Sequence, residues 1–293
     1  KIPFTYSIAT NLDSEHLDFY KNINNLKKSF LKFIEKIPSV GKGFICNDDK
    51  NLKNILKKSK NKNFYTYGKD KTSNFQIYNI KQASNFSNFD IKINIPSKKK
   101  IIKRIKLPMI GIHNIRNATA AISLAFTIGL PEKCIKAGLY NFKGVQRRFS
   151  HLFDHNKISF YDDYAHHPTE ISSVLSGVEK VYKNKEIVCV FQPHRISRVM
   201  RLKKEFSKCF KKANTVLFVN EKFNTGHLTK YLSNSELSYI NDLLKTNDLK
   251  KDLLFFEINS KKSLFLISIK KDLKISDVEN LGANFHKHIN YSK

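Results

Sequence analysis

Short apolar runs that suit β-strands alternate with segments of helical periodicity along the first part of this 293-residue chain. Residues 5–10, 43–46 and 64–67 are the predicted strands. Between them, Leu26 and Ile34 belong to a helical repeat that includes two phenylalanines, and a second helix is predicted near 52–56. Strands that alternate with helices form βαβ units and a largely parallel sheet. The alternation therefore restricts the chain to the α/β class.

Residues 73–107 have a different pattern. Ile91, Ile93 and Ile95 alternate with polar residues, which predicts an antiparallel sheet with one wet face. Helices are predicted over about 114–128 and 132–140, and residues 141–149 read as a hinge. The length has room for two domains, predicted here as 1–146 and 147–293.

The second predicted domain is also of the α/β class and doubly wound. The predicted elements are a hairpin (152–153 with 158–161), a helix from Pro168, a buried parallel strand over 186–191, a strand over 216–219, a strand over 253–256 and a helix through 264–269.

The chain is strongly basic, with a formal net charge of +28 and a pI near 9.8. Such a charge ordinarily suggests nucleic acid or an anionic membrane as a partner. Here the basic residues are spread along the chain among asparagine, isoleucine and phenylalanine, which an A+T-rich genome explains more simply. No arginine-rich arm, zinc-finger spacing or aromatic RNA-recognition motif occurs. We therefore expect no specific nucleic-acid partner, and only a general affinity for polyanions at low salt.

The cysteines and the hydropathy both indicate a cytoplasmic protein. Cys46, Cys134, Cys189 and Cys209 are isolated, without a C-x-x-C pair, and are predicted to be buried reduced thiols. No apolar run approaches the roughly 18–20 residues that cross a bilayer. No secretory signal opens the chain. We expect no membrane insertion.

Residues 161–170 concentrate three acids, two histidines and two tyrosines at a predicted strand-to-helix turn. In open α/β sheets, ligands bind at such carboxyl ends of strands. Pro168 suits the first helical turn, since its missing N–H had no partner there. A capped helix start with solvated charges would explain any single residue. The two histidines, however, are expected to add nothing to capping, so the run predicts a ligand crevice.

Arginine is much rarer than lysine in this chain, and most of the arginines lie in three short stretches, here called clusters. These are Arg116, the pair Arg147 and Arg148, and the pair Arg195 and Arg198. A guanidinium grips phosphate or carboxylate with two parallel bonds, which a lysine cannot do. The clusters therefore predict anion recognition, although a solvated helix start is the alternative for Arg198 and Arg201.

Five segments together resemble the Mur ligase family, in the family's order. They are residues 10–18 (TNLDSEHLD), 111–118 (GIHNIRNA), 144–149 (GVQRRF), 162–168 (DDYAHHP) and 191–195 (FQPHR) with Arg198. The nearest branch is the one that adds L-alanine to UDP-N-acetylmuramate. The resemblance implies part of the family's central ATPase domain over 1–146, followed by a Rossmann-like, doubly wound carboxyl-terminal domain over 147–293.

The family resemblance also implies an activity. Such ligases phosphorylate a substrate carboxylate with ATP, and the incoming amine then attacks the acyl phosphate and expels phosphate. ATP and Mg²⁺ are the implied cofactors, and UDP-N-acetylmuramate and L-alanine are the implied substrates, in peptidoglycan biosynthesis. His16 would bind Mg²⁺, although this ion prefers oxygen and a helix-start residue is the alternative.

The remaining implied site residues surround the nucleotide and the acceptor substrates. His113, Asn114 and Asn117 would contact adenine, with helix capping as the alternative. The others, with their implied roles, are Arg148 at the nucleotide phosphates, Asp163 at the ribose hydroxyls, Tyr164 near the base, His166 and His167 at the same crevice, and His194, Arg195 and Arg198 at the substrate carboxylate and L-alanine.

The sequence also departs from the family pattern. No G-x-x-G-K-[ST] phosphate loop occurs in the chain, so we predict that these residues alone do not turn over ATP. Residues 220–226 and 281–285 resemble the family only loosely. The alternatives left open are a ligase that recycles muramyl peptides, another amino-acid-adding Mur ligase and, more remotely, a non-catalytic basic binding module.

Overall fold

The computed structural model describes residues 3–83, 85–193, 196–220, 233, 235–236, 238–240, 242, 253–259 and 262–268. The chain divides into two compact units, Lys1–Gln146 and Arg147–Lys293. Within the described residues, no helix is both long and apolar enough to cross a bilayer.

Unit 1 is a mixed six-stranded sheet with helices. Its elements in chain order are β1 (Tyr6–Ala9), α1 (Leu17–Tyr20), α2 (Ile23–Glu35), β2 (Lys42–Cys46), α3 (Lys50–Lys58), β3 (Phe64–Gly68), β4 (Phe75–Ala83), β5 (Phe86–Ile95), β6 (Lys98–Leu107), α4 (Ile112–Thr127) and α5 (Glu132–Tyr140). The strands lie in the order β1-β2-β3-β4-β5-β6. The first four run parallel, and β4, β5 and β6 are antiparallel.

The parallel and antiparallel parts of this sheet differ in which side chains are buried. In β2, the successive residues Phe44 and Ile45 point to opposite faces and are both fully buried. Helix α4 packs on β2 and β3, and α3 packs on β2. In β5, Ile91, Ile93 and Ile95 are buried while the lysine and asparagine between them are exposed. The predicted change from parallel to antiparallel pairing is thus confirmed.

Short polar side chains begin two of the helices in unit 1. The Asn22 side chain accepts a hydrogen bond from the backbone N–H of Asn25, which caps α2. Asp49 caps α3 in the same way through the N–H of Leu52. Such caps each contribute about 1 kcal/mol. The caps and the apolar repeats together give the helices that the periodicity predicts.

The described part of unit 2 includes a hairpin, several helices and a second sheet. Its elements are β7 (Ser150–His155), β8 (Ile158–Asp162), α6 (Pro168–Val181), β9 (Val188–Phe191), α7 (Ile196–Arg201), α8 (Lys203–Cys209), β10 (Thr215–Asn220), β11 (Leu253–Asn259) and β12 (Lys262–Ser268). The larger sheet has the order β11-β12-β10-β9, with β10 parallel to both neighbours and β11 antiparallel to β12. A small core centres on Phe191 and Phe206.

Two sequence predictions in unit 2 are wrong. The helix predicted through 264–269 is instead strand β12, which lies between β10 and β11. A short continuous apolar run suits a central strand as well as a buried helix, so periodicity cannot separate the two. The strand predicted over 186–191 is β9, but it is not fully buried: Val188 and Val190 are 38% and 61% exposed. β9 is the outermost strand of the described sheet. Its Phe191 side chain packs against the helices, whereas Val188 and Val190 do not belong to that core.

The cysteines are free thiols, as expected, but not uniformly buried. Cys46 and Cys209 are buried, Cys189 is half-buried and Cys134 is exposed. Cys134 lies on α5, where Ile135 is the buried residue. Its predicted burial is therefore wrong.

Candidate functional site

The turn of residues 163–167 connects β8 to α6, as the sequence predicts. Among the described residues, however, β8 pairs with β7 alone, in an antiparallel hairpin. The turn therefore does not end a strand of the larger sheet of unit 2, and the rule for open α/β sheets does not apply to it. Its geometry comes instead from the side-chain hydrogen bonds described below.

His167 is the N-cap of α6, which contradicts the expectation that the histidines add nothing to capping. The His167 ring accepts a hydrogen bond from the N–H of Thr169 at 3.4 Å, and the Glu170 side chain accepts one from the N–H of His167 at 3.3 Å. This reciprocal pair is a capping box in which histidine takes the usual place of serine or threonine. Pro168 fills the first helical position, as predicted.

Asp163 holds two segments of backbone with one carboxylate. Its Oδ1 accepts a hydrogen bond from the N–H of Ala165 at 2.7 Å, and its Oδ2 accepts one from the N–H of Phe149 at 2.8 Å. Burial raises the pKa of the Asp163 carboxyl above its ordinary value, while the two backbone bonds act in the opposite direction. The carboxylate thus joins the turn to the segment that carries Arg148.

That segment has an unusual backbone. Arg147 and Phe149 both adopt the left-handed conformation, with φ of 58° and 50°. For residues other than glycine this costs on the order of 1 kcal/mol each. The Arg147 carbonyl accepts a bond from the N–H of Tyr164 at 2.8 Å, and the Phe149 ring stacks on Tyr161 at 4.3 Å. These contacts, with the Asp163 bond, compensate the strain and fix Arg148 between the two strained residues.

Glu170 lies at the centre of this group of residues. Its Oε1 lies 3.6 Å from an Arg148 nitrogen, and its Oε2 accepts a bond from the N–H of His166 at 3.1 Å. Burial by itself would raise the pKa of Glu170, but the His166 N–H, the His166 ring and the Arg148 charge bring the pKa below its ordinary value. The sequence analysis did not assign Glu170, although its place three residues after the N-cap is a recognised capping signal.

Tyr164 and His166 form the exposed side of the turn. The Tyr164 ring is 51% exposed, and the Arg147 guanidinium lies over it at 4.8 Å while bonding Asp162 at 3.1 Å. The His166 ring meets Tyr164 edge-on at 5.2 Å, and its Nδ1 lies 2.9 Å from the Tyr164 carbonyl oxygen. Unit 2 therefore brings Arg148, Asp163, Tyr164, His166 and His167 together in one contiguous cluster.

The predicted arginines after β9 differ in burial. Arg198 on α7 is 6% exposed, which excludes a solvated helix start for this residue. Arg201, at the end of α7, is exposed. His194 and Arg195 lie outside the described residues.

In unit 1, His16 precedes α1 and is exposed. It has a left-handed backbone, with φ 54° and ψ 27°, and its side chain makes no capping hydrogen bond. The His16 carbonyl accepts hydrogen bonds from the N–H groups of Phe19 and Tyr20, so His16 begins α1 through its backbone. The His16 ring is thus not used as a cap.

The start of α4 carries the other predicted residues of unit 1. Gly111 has φ of 93°, and a Cβ there would come within 2.6 Å of the His113 ring, so the ring lies directly against the glycine. Asn114 donates its side-chain N–H to the Ile110 carbonyl at 2.7 Å, and the N-cap position of α4 is Gly111 without a side-chain capping bond, so Asn114 is not a helix cap. Asn117, one turn further on, is exposed.

Residues that the sequence analysis missed hold these segments in place. Asp48 bonds the Arg116 guanidinium of α4 at 2.7 Å, and Asp49 bonds the Leu12 N–H at 3.1 Å. The available signal was an acidic pair, Asp48 and Asp49, one residue after the predicted strand 43–46. Asp162 and Asp163, at the end of β8, are the corresponding pair in unit 2.

The described residues do not by themselves form a Mg²⁺ site. They contain no group of three or more His, Cys, Asp and Glu side chains that could hold a metal ion. His16 offers a single nitrogen, whereas Mg²⁺ prefers octahedral oxygen coordination. Any role of His16 is thus limited to one ligand among others.

Two domains of one family match the chain. Residues 1–125 match the Mur ligase middle domain, and residues 147–245 match the Mur ligase glutamate ligase domain. The two α/β units fit this pair of domains, and the chain belongs to the Mur ligase family.

Among curated relatives, the chain is similar to UDP-N-acetylmuramate–L-alanine ligases. It is 53% identical over 272 residues to the one from Pelagibacter ubique, which covers 91% of this chain and 54% of that protein. It is 40% identical over 218 residues to the one from Brachyspira hyodysenteriae, covering 72% of this chain and 45% of that protein. The chain therefore spans about half the length of the curated relatives it matches.

Solved structures show the same fold. MurF from Acinetobacter baumannii superposes with a TM-score of 0.63 at 18% identity, covering 96% of this chain and 59% of that one. UDP-N-acetylmuramate–alanine ligase MurC from Thermotoga maritima gives a TM-score of 0.60 at 23% identity, covering 99% and 60%. The predicted fold class is thus confirmed.

Proposed function

We propose that this chain is part of an ATP-dependent ligase that joins L-alanine to the carboxylate of UDP-N-acetylmuramate in cytoplasmic peptidoglycan biosynthesis. The observation that carries the proposal is the 53% identity to a UDP-N-acetylmuramate–L-alanine ligase, which extends over 91% of the chain and so includes both units. The acceptor carboxylate would take the γ-phosphoryl group of ATP. The L-alanine amine would then displace phosphate from the acyl carbon and form the amide.

The cluster in unit 2 supports a nucleotide-binding role. Arg148 offers a guanidinium that can grip phosphate, and its position is fixed by the Asp163 bond to the next peptide. Asp163 is held by two backbone bonds and has lone pairs on both oxygens for ribose hydroxyls. Tyr164 presents an exposed ring suited to packing near a base. His166 would border the same crevice, and His167 would act through the start of α6.

The other assignments follow from family likeness and stay proposals. His113, Asn114 and Asn117 would contact adenine from α4, and His16 would supply one ligand to Mg²⁺. His194, Arg195 and Arg198 would hold the acceptor carboxylate and L-alanine. When bound, Mg²⁺ would neutralise phosphate charge.

The test is a ligation assay on the product of the complete reading frame that encodes this chain. We expect ADP release that requires both UDP-N-acetylmuramate and L-alanine, with glycine and L-serine as weaker amino-acid substrates. Arg148→Ala is expected to lower kcat/KM by about 100-fold, since one charge-stabilising donor is lost. The 293-residue chain alone is expected to be inactive, because it has no phosphate loop.

Other outcomes would select the alternatives. Ligation of a free cell-wall peptide, through its amino terminus, in place of L-alanine would indicate a recycling enzyme. Ligation of a different amino acid would indicate another Mur ligase. Salt-resistant nucleic-acid binding without any substrate-dependent ADP release would indicate a binding module and overturn the proposal.

A further inference from the structure

We propose that residues 47–51, here called the acidic turn, form a positioning device for the proposed nucleotide site of unit 1. The turn follows β2 and includes the start of α3. Asp48 would fix the start of α4, and Asp49 would fix the segment that leads to His16. The inference rests on the proposed function, since it concerns how residues assigned to the nucleotide and its metal are held.

Asp48 connects the acidic turn to α4 and to the end of β3. Its Oδ2 accepts a hydrogen bond from the Arg116 Nε at 2.7 Å, and its Oδ1 accepts one from the N–H of Asp70 at 3.0 Å. The Asp48 side chain is only 9% exposed and that of Arg116 is 34% exposed, so water competes weakly for this charge-assisted bond. Arg116 lies between Asn114 and Asn117, so the bond fixes α4 at the point where it carries both asparagines.

The close approach of Asp48 to β3 requires a glycine. Gly68, the last residue of β3, has φ of 150°. A Cβ at this position would come within 2.6 Å of the Asp48 Oδ1. The glycine therefore leaves the space that the carboxylate occupies.

Asp49 connects the acidic turn to the segment after β1. Its Oδ1 caps α3 through the N–H of Leu52 at 2.8 Å, and its Oδ2 accepts the N–H of Leu12 at 3.1 Å. Asn51 donates its side-chain N–H to the Leu12 carbonyl at 2.9 Å. Both backbone polar groups of Leu12 are thus held by the turn, and its side chain is 2% exposed. This anchor lies four residues before His16.

Substitution of either aspartate by asparagine removes one of its two acceptor oxygens and keeps the other. Asparagine keeps the size and one acceptor oxygen, but it places an N–H₂ group where the second oxygen was. In Asp48→Asn that group would face the Arg116 donor. In Asp49→Asn the remaining oxygen can still cap α3, because asparagine is as good an N-cap as aspartate, whereas the Leu12 N–H would lose its acceptor.

Asp90→Asn is the matched control in the same unit. Asp90 is 7% exposed and also accepts two hydrogen bonds, from the Arg104 N–H at 2.7 Å and the Asn79 side chain at 2.9 Å. It lies within the antiparallel strands β4 to β6 and bonds neither α4 nor the Leu12 segment. It therefore reports what the loss of one buried bond does by itself.

The first measurement is steady-state kinetics on the complete ligase. We expect Asp48→Asn to raise KM for ATP by about tenfold, as for the loss of a charged hydrogen bond, with KM for L-alanine unchanged. Asp90→Asn is expected to leave both KM values at the parent level. Equal rises in both KM values, or none for ATP, would overturn the role of Asp48.

The second measurement is amide hydrogen exchange on the same proteins without substrates. Asp49→Asn is expected to speed exchange of the Leu12 amide, and Asp48→Asn that of the Asn114 and Ile115 amides, while Asp90→Asn does neither. Unchanged protection of Leu12 in Asp49→Asn would overturn its role. Because exchange needs no catalysis, it decides the positioning proposal even if the parent protein fails to ligate L-alanine, which would refute the proposed function alone.

Discussion

At the residue scale, several side chains of this protein act mainly by holding other residues. Asp163 bonds the backbone of Phe149, next to Arg148, and that of Ala165 in its own turn, and Glu170 bonds the backbone of two histidines. Their pKa values move in opposite directions, up for Asp163 through burial and down for Glu170 through its donors and neighbouring cations. One polar cluster thus contains two carboxyls with different electrostatic surroundings.

The cysteines give a prediction at this scale. Burial raises the pKa of Cys189 to about 11, and burial together with the neighbouring Cys189 raises that of Cys209 to about 12. At pH 8 a thiol of pKa 11 is ionised to about one part in a thousand. We therefore expect iodoacetamide to label the exposed Cys134 first, as followed by peptide mass spectrometry. Labelling of Cys189 or Cys209 as fast as Cys134 in the folded protein would contradict this.

At the element scale, the start of α6 shows how one helix terminus can serve two purposes. The four N–H groups that open a helix have no partner within it. Here His167 and Glu170 satisfy two backbone donors reciprocally, and Glu170 also lies beside Arg148. The cap that stabilises α6 is therefore part of the candidate site.

Substitutions at Glu170 test this combination. Glu170→Ala is expected to lower the free energy of unfolding by about 1 kcal/mol, because two backbone donors lose their acceptor. Glu170→Gln is expected to cost less, since glutamine can also complete a capping box. Urea denaturation measures both.

The pH dependence of stability follows from the same residue. The folded-state pKa of Glu170 is lowered from 4.5, so its ionised form adds stability above that value. This contribution is lost as the pH falls through the folded pKa. Glu170→Gln is expected to remove that part of the acid sensitivity, and an unchanged difference between parent and variant from pH 7 to 3 would contradict the assignment.

At the scale of the whole molecule, the chain is two units with separate cores. Residues 141–149 contain the boundary between Gln146 and Arg147, and 141–148 are mostly exposed. Exposed segments between compact units are the preferred sites of proteolysis. We expect brief trypsin treatment to cut this segment first after Lys143, as read by intact mass, because the backbone of Arg147 and Phe149 is held by hydrogen bonds. Earlier cleavage at the exposed lysines of β6 would place the weakest point elsewhere.

Much of the fold was predictable because local patterns and burial agree. In β5 the alternating isoleucines identify one buried face, and in α2 the apolar repeat identifies the packed side. The prediction failed for β12, where four consecutive apolar residues fit either a strand or a helix. The predicted burial of β9 was also wrong, because the exposure of a strand depends on its neighbours in the sheet.

The sequence by itself determined the family, since five short motifs in a fixed order are specific even though each is weak alone. It also indicated guanidinium groups in the candidate site, because anion recognition needs them, but it did not indicate the role of Glu170 in the cap of α6. Only the tertiary structure decided how those residues are held. The bonds from Asp48 to Arg116, from Asp49 to Leu12 and from Asp163 to Phe149 join positions 14 to 68 residues apart. Such contacts depend on where the folded chain returns, which no local pattern specifies.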